Sequence, residues 1–405
     1  MINVAVLGYG TVGSGVVEVL ETNQEVINQR VGNEVRVKYV LDLREFPKDP
    51  VEKILTNDYQ VILNDPEVEV ICETMGGTNP AYEFTKQALL KGKSVCTSNK
   101  ELVANHGPEL LRIAREQNCN YMFEASVGGG IPIIRPLNAC LTAEKIESIT
   151  GILNGTTNFI LTKMGREGAD FAEVLKEAQE KGYAEKNPEA DVEGHDACRK
   201  IAILSSLMYG KTVDYQDIYT EGITQITATD FIYAKKMGYS IKLLGMSKEV
   251  DGQYLAMVAP FMISTEHPLY GVNDVFNGIF VHSNMLDDSM YYGRGAGKLP
   301  TASAVVGDVV ECARNLGKNL PCNWTQEKKE LTKLNDVKNI FFVRMRGTSK
   351  EQLASVEKVF GKVNIVELEG NTEEFAFVTA PITEKSYGDG AQQLEGILTK
   401  IRMEQ

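Results

Sequence analysis

The chain has 405 residues, 43% hydrophobic and 24% charged, with a net charge of −13. That length implies two or three domains, the composition is globular, and the acidic balance argues against nucleic acid or an anionic membrane as partner. Seven scattered cysteines without a CxxC pair, and only four histidines, weigh against a zinc site and fit a reducing, cytoplasmic setting. The opening residues MINVAVLGYG read as a strand, not a leader, and no apolar run approaches the ~20 residues of a membrane helix.

Ile2–Leu7 is a short β-branched run, as expected of a buried parallel strand. Gly8-Tyr9-Gly10-Thr11-Val12-Gly13 follows and opens a segment of helical period. A G-x-G-x-x-G between strand and helix is the dinucleotide fingerprint, because its glycines let the backbone turn tightly and approach a pyrophosphate at the helix N-terminus. A glycine-rich turn is the plain alternative. The next strand, Val35–Leu41, ends at Asp42. An acid there would hold a ribose 2′-hydroxyl and favour NAD, whereas Arg44 would accept the 2′-phosphate of NADP; the balance leans to NAD.

Strands and helices alternate to residue 123, as in a doubly wound parallel sheet. Thr74, Thr97, Ser98 and Lys100 follow strand ends, which face the ligand crevice in such sheets. Residues 124–132, EASVGGGIP, form an irregular turn. Its carbonyls and the Glu124 carboxylate suit a hard cation, with an interdomain hinge as the alternative. Residues 151–159, GILNGTTNF, make a turn rich in backbone and hydroxyl donors, Thr156 among them, that opens onto a helix and would hold a carboxylate.

Residues 182–200, GYAEKNPEADVEGHDACRK, carry Glu185, Glu189, Asp191, Glu193 and Asp196 ahead of an apolar helical run. Asp196 and Lys200 are four apart and share a helix face. The layout suits gripping a substrate amine and moving a proton. Solvated surface charge is the plain reading and is kept for Glu189 and Glu193; His195 reads as packing. Farther on, residues 254–260 and 278–282 look extended, as in a mixed sheet. Residues 293–304 are a glycine-rich loop leading into a helix, and 319–335 read as a polar linker or connecting helix. The tail follows the order β-α-β-β-α-β, which is ferredoxin-like.

The motifs GYGTVG, TSNK, EASVGGGIP, GILNGTTNFIL, GYAEKNPEADVEGHDACRK and GAGKLPTASAV stand in the order found in homoserine dehydrogenases, and the chain resembles the monofunctional form with a C-terminal ACT-like domain. The resemblance implies an α/β protein of several parts. An N-terminal Rossmann doubly wound parallel sheet spans 1–130 and is completed by about 300–320. An α+β catalytic, substrate and oligomerisation domain with a mixed sheet spans 131–299. A linker at 321–337 leads to a ferredoxin-like, ACT-type βαββαβ domain at 338–405. The implied reaction is reversible NAD(P)-dependent hydride transfer between L-homoserine and L-aspartate 4-semialdehyde, on the route to threonine, methionine and isoleucine.

By the same resemblance Lys200, Lys100 and Asp196 are catalytic. Glu185, Asp191, Asp196, Thr156 and Tyr183 bind substrate. Gly8, Gly10, Thr11, Val12, Gly13, Asp42, Thr74, Thr97, Ser98, Lys100, Gly182 and Gly297 meet the cofactor. Sodium sits at Glu124 and the carbonyls of Val127, Gly129 and Ile131. A homo-oligomer, dimer or tetramer, and an amino-acid effector at the tail are further expectations. Two departures stand out: Arg294 replaces the usual proline of the glycine loop, and Gly347-Thr348-Ser349 replaces the Pro-Gly turn after the first tail strand. A Rossmann dehydrogenase of another amino-acid semialdehyde, and a non-catalytic nucleotide or amino-acid sensor, are the competing readings.

Overall fold

The computed structural model describes residues 1–250 and 252–404. The chain divides into two compact units. The first joins Met1–Glu144, Ala202–Asp214 and Gly293–Lys329; the second joins Lys145–Ile201, Tyr215–Tyr292 and the chain from Glu330 onward.

The first unit is built on a six-stranded sheet. Its order is Leu55–Thr56, Val35–Leu41, Ile2–Leu7, Val68–Glu73, Ser94–Thr97, Tyr121–Met122. Every pairing is parallel. Strand Ile2–Leu7 is buried at every position, which is why it reads as a continuous apolar run instead of an alternating one. The strand order reverses direction between Ile2–Leu7 and Val68–Glu73, and a doubly wound sheet binds its ligand at that switch point. The core gathers Val4, Val6, Val70 and Cys96 from the sheet with Val16 and Leu20 from helix Thr11–Thr22. Helix Lys298–Arg314, far along the chain, returns to this core through Val305, Val309 and Cys312.

Residues 319–335, expected to be a linker or connecting helix, hold no α-helix. Strand Thr325–Lys328 pairs in parallel with Lys211–Thr212. Trp324 is buried, lies edge-on to Phe123 at 6.1 Å and donates its indole N–H to Thr212. A tryptophan carries too much apolar surface to leave in solvent, so it pins this stretch down despite the charged residues around it.

The second unit holds a mixed sheet. From one edge its order is Asp287–Arg294, Phe276–Ser283, Ile146–Ile152, Tyr239–Val250, Gln253–Ser264, Ile397–Glu404, Lys338–Arg346, Glu374–Val378, Asn364–Val366. The last four strands stand in the order fourth, first, third, second of the tail. With helices Ser349–Phe360 and Glu384–Ala391 they have ferredoxin-like connectivity around Phe341, Val343, Phe375, Phe377 and Tyr387. This tail continues the larger sheet: Phe261, Met262 and Ile263 pair in parallel with Arg402, Met403 and Glu404. Arg402, almost fully buried, secures the seam. Its guanidinium grips Glu384 through two N–H groups at 2.6 and 3.0 Å and donates a third to Glu221 at 2.7 Å. Among the described residues no helix is long and apolar enough to cross a membrane.

Candidate active site

The glycine loop occupies the switch point of the first unit. Helix Thr11–Thr22 starts after Gly10, whose side lacks a capping group, so its first amides and its dipole face whatever binds there. A β-carbon on Gly13 would lie 1.8 Å from the carbonyl oxygen of Gly8 and 2.7 Å from the Thr74 hydroxyl. Thr74 holds the loop from below, donating to the carbonyls of Leu7 and Gly8 at 2.9 Å. Gly8, Gly10, Thr11, Val12, Gly13 and Thr74 therefore converge on one cradle of the kind a pyrophosphate needs.

Asp42, at the end of Val35–Leu41, accepts the Tyr9 N–H at 2.8 Å and both ends of the Arg44 side chain at 2.8 and 3.0 Å. Arg44 and the two backbone amides hold its carboxyl well below the usual range. Both groups proposed to read the ribose thus sit beside the glycine loop.

Thr97 donates to Glu73 at 2.6 Å and accepts the Asn99 N–H. Asn99 caps helix Lys100–Glu116 through Leu102 N–H and ties it to the Gly77 carbonyl at 2.6 Å. Lys100 consequently opens that helix, half-buried, with Ser98 two residues before it. Glu73 is fully buried, and burial pushes its carboxyl up to about 7. Sequence reasoning missed this acid, although its place at a strand end beside Thr74 was a usable signal.

The carboxylate of Glu124 is committed. It accepts the backbone N–H groups of Ile133, Ile134 and Arg135 at 2.6, 2.7 and 2.8 Å, where a carboxylate-bearing cation set was expected. Gly129 has φ +58°, and a β-carbon on it would lie 2.3 Å from the Gly295 carbonyl oxygen, while the Gly130 N–H bonds to the Arg294 carbonyl at 3.1 Å. The glycine run thus packs backbone to backbone against the loop in which Arg294 stands.

In the second unit, strand Ile146–Ile152 runs through Leu153 and Asn154 into helix Gly155–Glu167. Asn154 caps that helix, accepting the Thr157 N–H at 2.9 Å. Its amide nitrogen donates to Asp191 at 2.7 Å and to Asp196 at 2.9 Å. Lys200, one turn after Asp196 on helix His195–Tyr209, donates to Asp196 and to the Leu153 carbonyl, both at 2.8 Å. Asp196 and Lys200 are 6% and 9% exposed, so this is an ion pair removed from water. Thr156 donates to the Tyr183 carbonyl at 2.6 Å, and the Tyr183 ring meets Phe159 edge-on. Glu185 stands on the loop and is exposed. Gly182 and Gly297 occupy turns with φ +72° and +124°, a conformation that by itself calls for glycine. An asparagine before Gly-Thr-Thr is legible in the sequence as a helix cap, but not as the bridge to two acids that Asn154 makes here.

A family model described as the homoserine dehydrogenase NAD-binding domain matches residues 8–124, and one described as homoserine dehydrogenase matches residues 132–310. The homoserine dehydrogenase of Bacillus subtilis (strain 168) is 38% identical over 98% of this chain and 95% of its own. That of Helicobacter pylori is 37% identical over 98% and 96%. Among solved structures, the crystal structure of a homoserine dehydrogenase from Thiobacillus denitrificans covers all of this chain and 98% of its own, with a TM-score of 0.90 and 35% identity. A matched cofactor domain, a matched catalytic region and near-complete coverage place the chain in the homoserine dehydrogenase family, whose members are NAD(P)-dependent oxidoreductases.

Proposed function

We propose that Lys200 moves the proton in the interconversion of homoserine and aspartate 4-semialdehyde, with Asp196 and Asp191 holding the substrate. The observation that carries this reading is the cluster of half-buried Asp191 with buried Asp196 and Lys200, joined through Asn154. An ammonium has three donors, and two of those on Lys200 bond the protein. The third would reach the substrate oxygen. In the oxidising direction neutral Lys200 takes the hydroxyl proton; in the reducing direction its ammonium stabilises the developing alkoxide and protonates it. Asp191 would accept the substrate ammonium as a charge-assisted partner, with the exposed Glu185 carboxylate joining it from the loop. Lys100 would act from the cofactor side.

The glycine cradle and the free helix N-terminus fit a dinucleotide pyrophosphate, and the nicotinamide, when bound, accepts or returns the hydride. Gly297, Thr97 and Ser98 are read as lining it. The Asp42 carboxylate supports NAD as the preferred cofactor. Arg44, exposed and held by that same acid, would accept a 2′-phosphate once it swings out, so Arg44→Ala should lower kcat/KM for NADP+ more than for NAD+. One archaeal relative is solved in complex with NADPH. A sodium ion would sit among main-chain oxygens of the 124–131 turn, which suits a hard cation of low charge.

The exposed Met290 and Tyr292 on edge strand Asp287–Arg294, beside exposed Met285 and Leu286, support a homo-oligomer formed through that edge. A cavity of about 520 Å3 lined by Arg344, Arg346, Thr372 and Glu374 at the tail offers both charges an amino-acid effector carries, in keeping with an ACT-type role for 338–405. All seven cysteines are free thiols, which agrees with a cytoplasmic setting.

The test is an assay of homoserine oxidation with NAD+ and with NADP+ across pH. Oxidation requires Lys200 to take up the hydroxyl proton, so turnover should rise toward alkaline pH. A profile flat from neutral to alkaline pH at saturating substrate removes Lys200 from the role.

A further inference from the structure

We propose that Asn154 is a positioning residue of the acid site: its side-chain amide holds Asp191 and Asp196 in the one arrangement that receives the substrate ammonium. The inference rests on the reading of Asp191, Asp196 and Lys200 as substrate-handling groups.

The orientation of the amide is fixed by its own helix. Its oxygen accepts the Thr157 N–H at 2.9 Å, so the nitrogen has to face the acids. A primary amide has two N–H donors, and there are two acceptors: Asp191 at 2.7 Å and Asp196 at 2.9 Å. The donor set is matched one to one. The Asp196 oxygen that takes this bond also takes Lys200, and the residue before Asn154 supplies the carbonyl on the other side of the Lys200 ammonium. Two consecutive residues at the start of one helix therefore locate both acids and the lysine, 37, 42 and 47 positions along the chain.

The choice of an amide has a chemical reason. Two carboxylates drawn to one point repel each other, and something must offset that repulsion. Lys200 offsets part of it from the Asp196 side. A neutral amide donates to both acids at once and adds no charge of its own to the site. Helix capping alone does not explain the residue, because serine and aspartate cap as well as asparagine and neither makes this bridge.

That equivalence supplies the test. Asn154→Ser keeps the cap and removes the double donor; Asn154→Asp keeps the cap and turns the donor into a third carboxylate. Purified full-length variants are compared for thermal midpoint, for NADH affinity by fluorescence, and for KM and kcat with homoserine, with Lys200→Met run alongside. Asn154→Ser should leave NADH affinity unchanged and lower kcat/KM for homoserine by ~10- to 100-fold, the scale of a catalytic group displaced by about 1 Å. Asn154→Asp should lose at least as much. A serine variant with wild-type kinetics for homoserine overturns the inference, as does one whose only change is a lower thermal midpoint. If Asn154→Ser fails to fold, the aspartate variant carries the same comparison. If Lys200→Met keeps wild-type turnover, the site reading itself fails; if Lys200→Met is inactive while Asn154→Ser is normal, only the role of Asn154 is lost.

Discussion

Replacing Lys200 by methionine keeps most of the side-chain volume and deletes the charge. In the wild type the ammonium bonds Asp196 and the Leu153 carbonyl at 2.8 Å in a site where both ion-pair partners are under a tenth exposed. Breaking a buried pair by removing one member costs ~3–5 kcal/mol, because the remaining charge is stranded. Asp196 keeps its bond from Asn154, which puts the cost near the lower end, at ~3 kcal/mol. The chemical loss is larger in effect. Without a proton acceptor in oxidation or an ammonium in reduction, kcat should fall ~100- to 10,000-fold, the usual contribution of a positioned general acid or base. The assay is steady-state oxidation of NADPH or NADH with aspartate semialdehyde, and reduction of NAD(P)+ with homoserine. Cofactor affinity is measured in parallel, and urea unfolding gives the stability change. A variant that retains more than ~10% of wild-type kcat, a loss far smaller than that scale, refutes the assignment and makes Lys100 the first alternative.

Further outcomes follow from the same geometry. Gly13→Ala places a methyl where 1.8 Å separates it from the Gly8 carbonyl; NADH binding by calorimetry should weaken at least ~10-fold, the scale of a cradle pushed out of place, and unchanged affinity removes the loop from the site. Glu73 has a folded pKa raised from 4.5 to about 7 by burial, so between those values the folded state holds a proton that the unfolded state has lost. Its contribution to stability is therefore full below pH 4.5 and falls as pH rises to about 7, by up to ~3 kcal/mol. The difference in unfolding free energy between wild type and Glu73→Gln should follow that slope, and a difference independent of pH contradicts it. Arg402→Met leaves Glu221 with Lys400 and Tyr219 and Glu384 with Asn339, so it should cost ~3 kcal/mol, the lower end for a broken buried pair, in urea unfolding; a loss under ~1 kcal/mol would class the network with surface pairs.

Features carried by short-range pattern were readable before any coordinates. The apolar run of Ile2–Leu7, the glycine hexapeptide and the following helical period predict the strand, turn and helix found there. The four-residue spacing of Asp196 and Lys200 predicts their ion pair on helix His195–Tyr209. The tail's order of elements predicts its ferredoxin-like connectivity, and the fourth-first-third-second strand order bears it out. Less was legible where a polar residue's partner is distant. Glu124 and Asp42 are plain acids in the sequence, yet one bonds three backbone amides and the other two backbone amides and an arginine side chain.

The sequence by itself determined the fold class, the glycine cradle and the helix that pairs Asp196 with Lys200, because each depends on residues within a few positions of one another, where periodicity and turn chemistry act. The tertiary structure alone decided that Asn154 reaches Asp191 and Asp196, that Trp324 anchors a stretch that reads as a linker, and that the tail's last strand extends the mixed sheet. Those contacts join residues far apart in the chain, and hydrogen bonding and burial select such partners only after the local elements have packed.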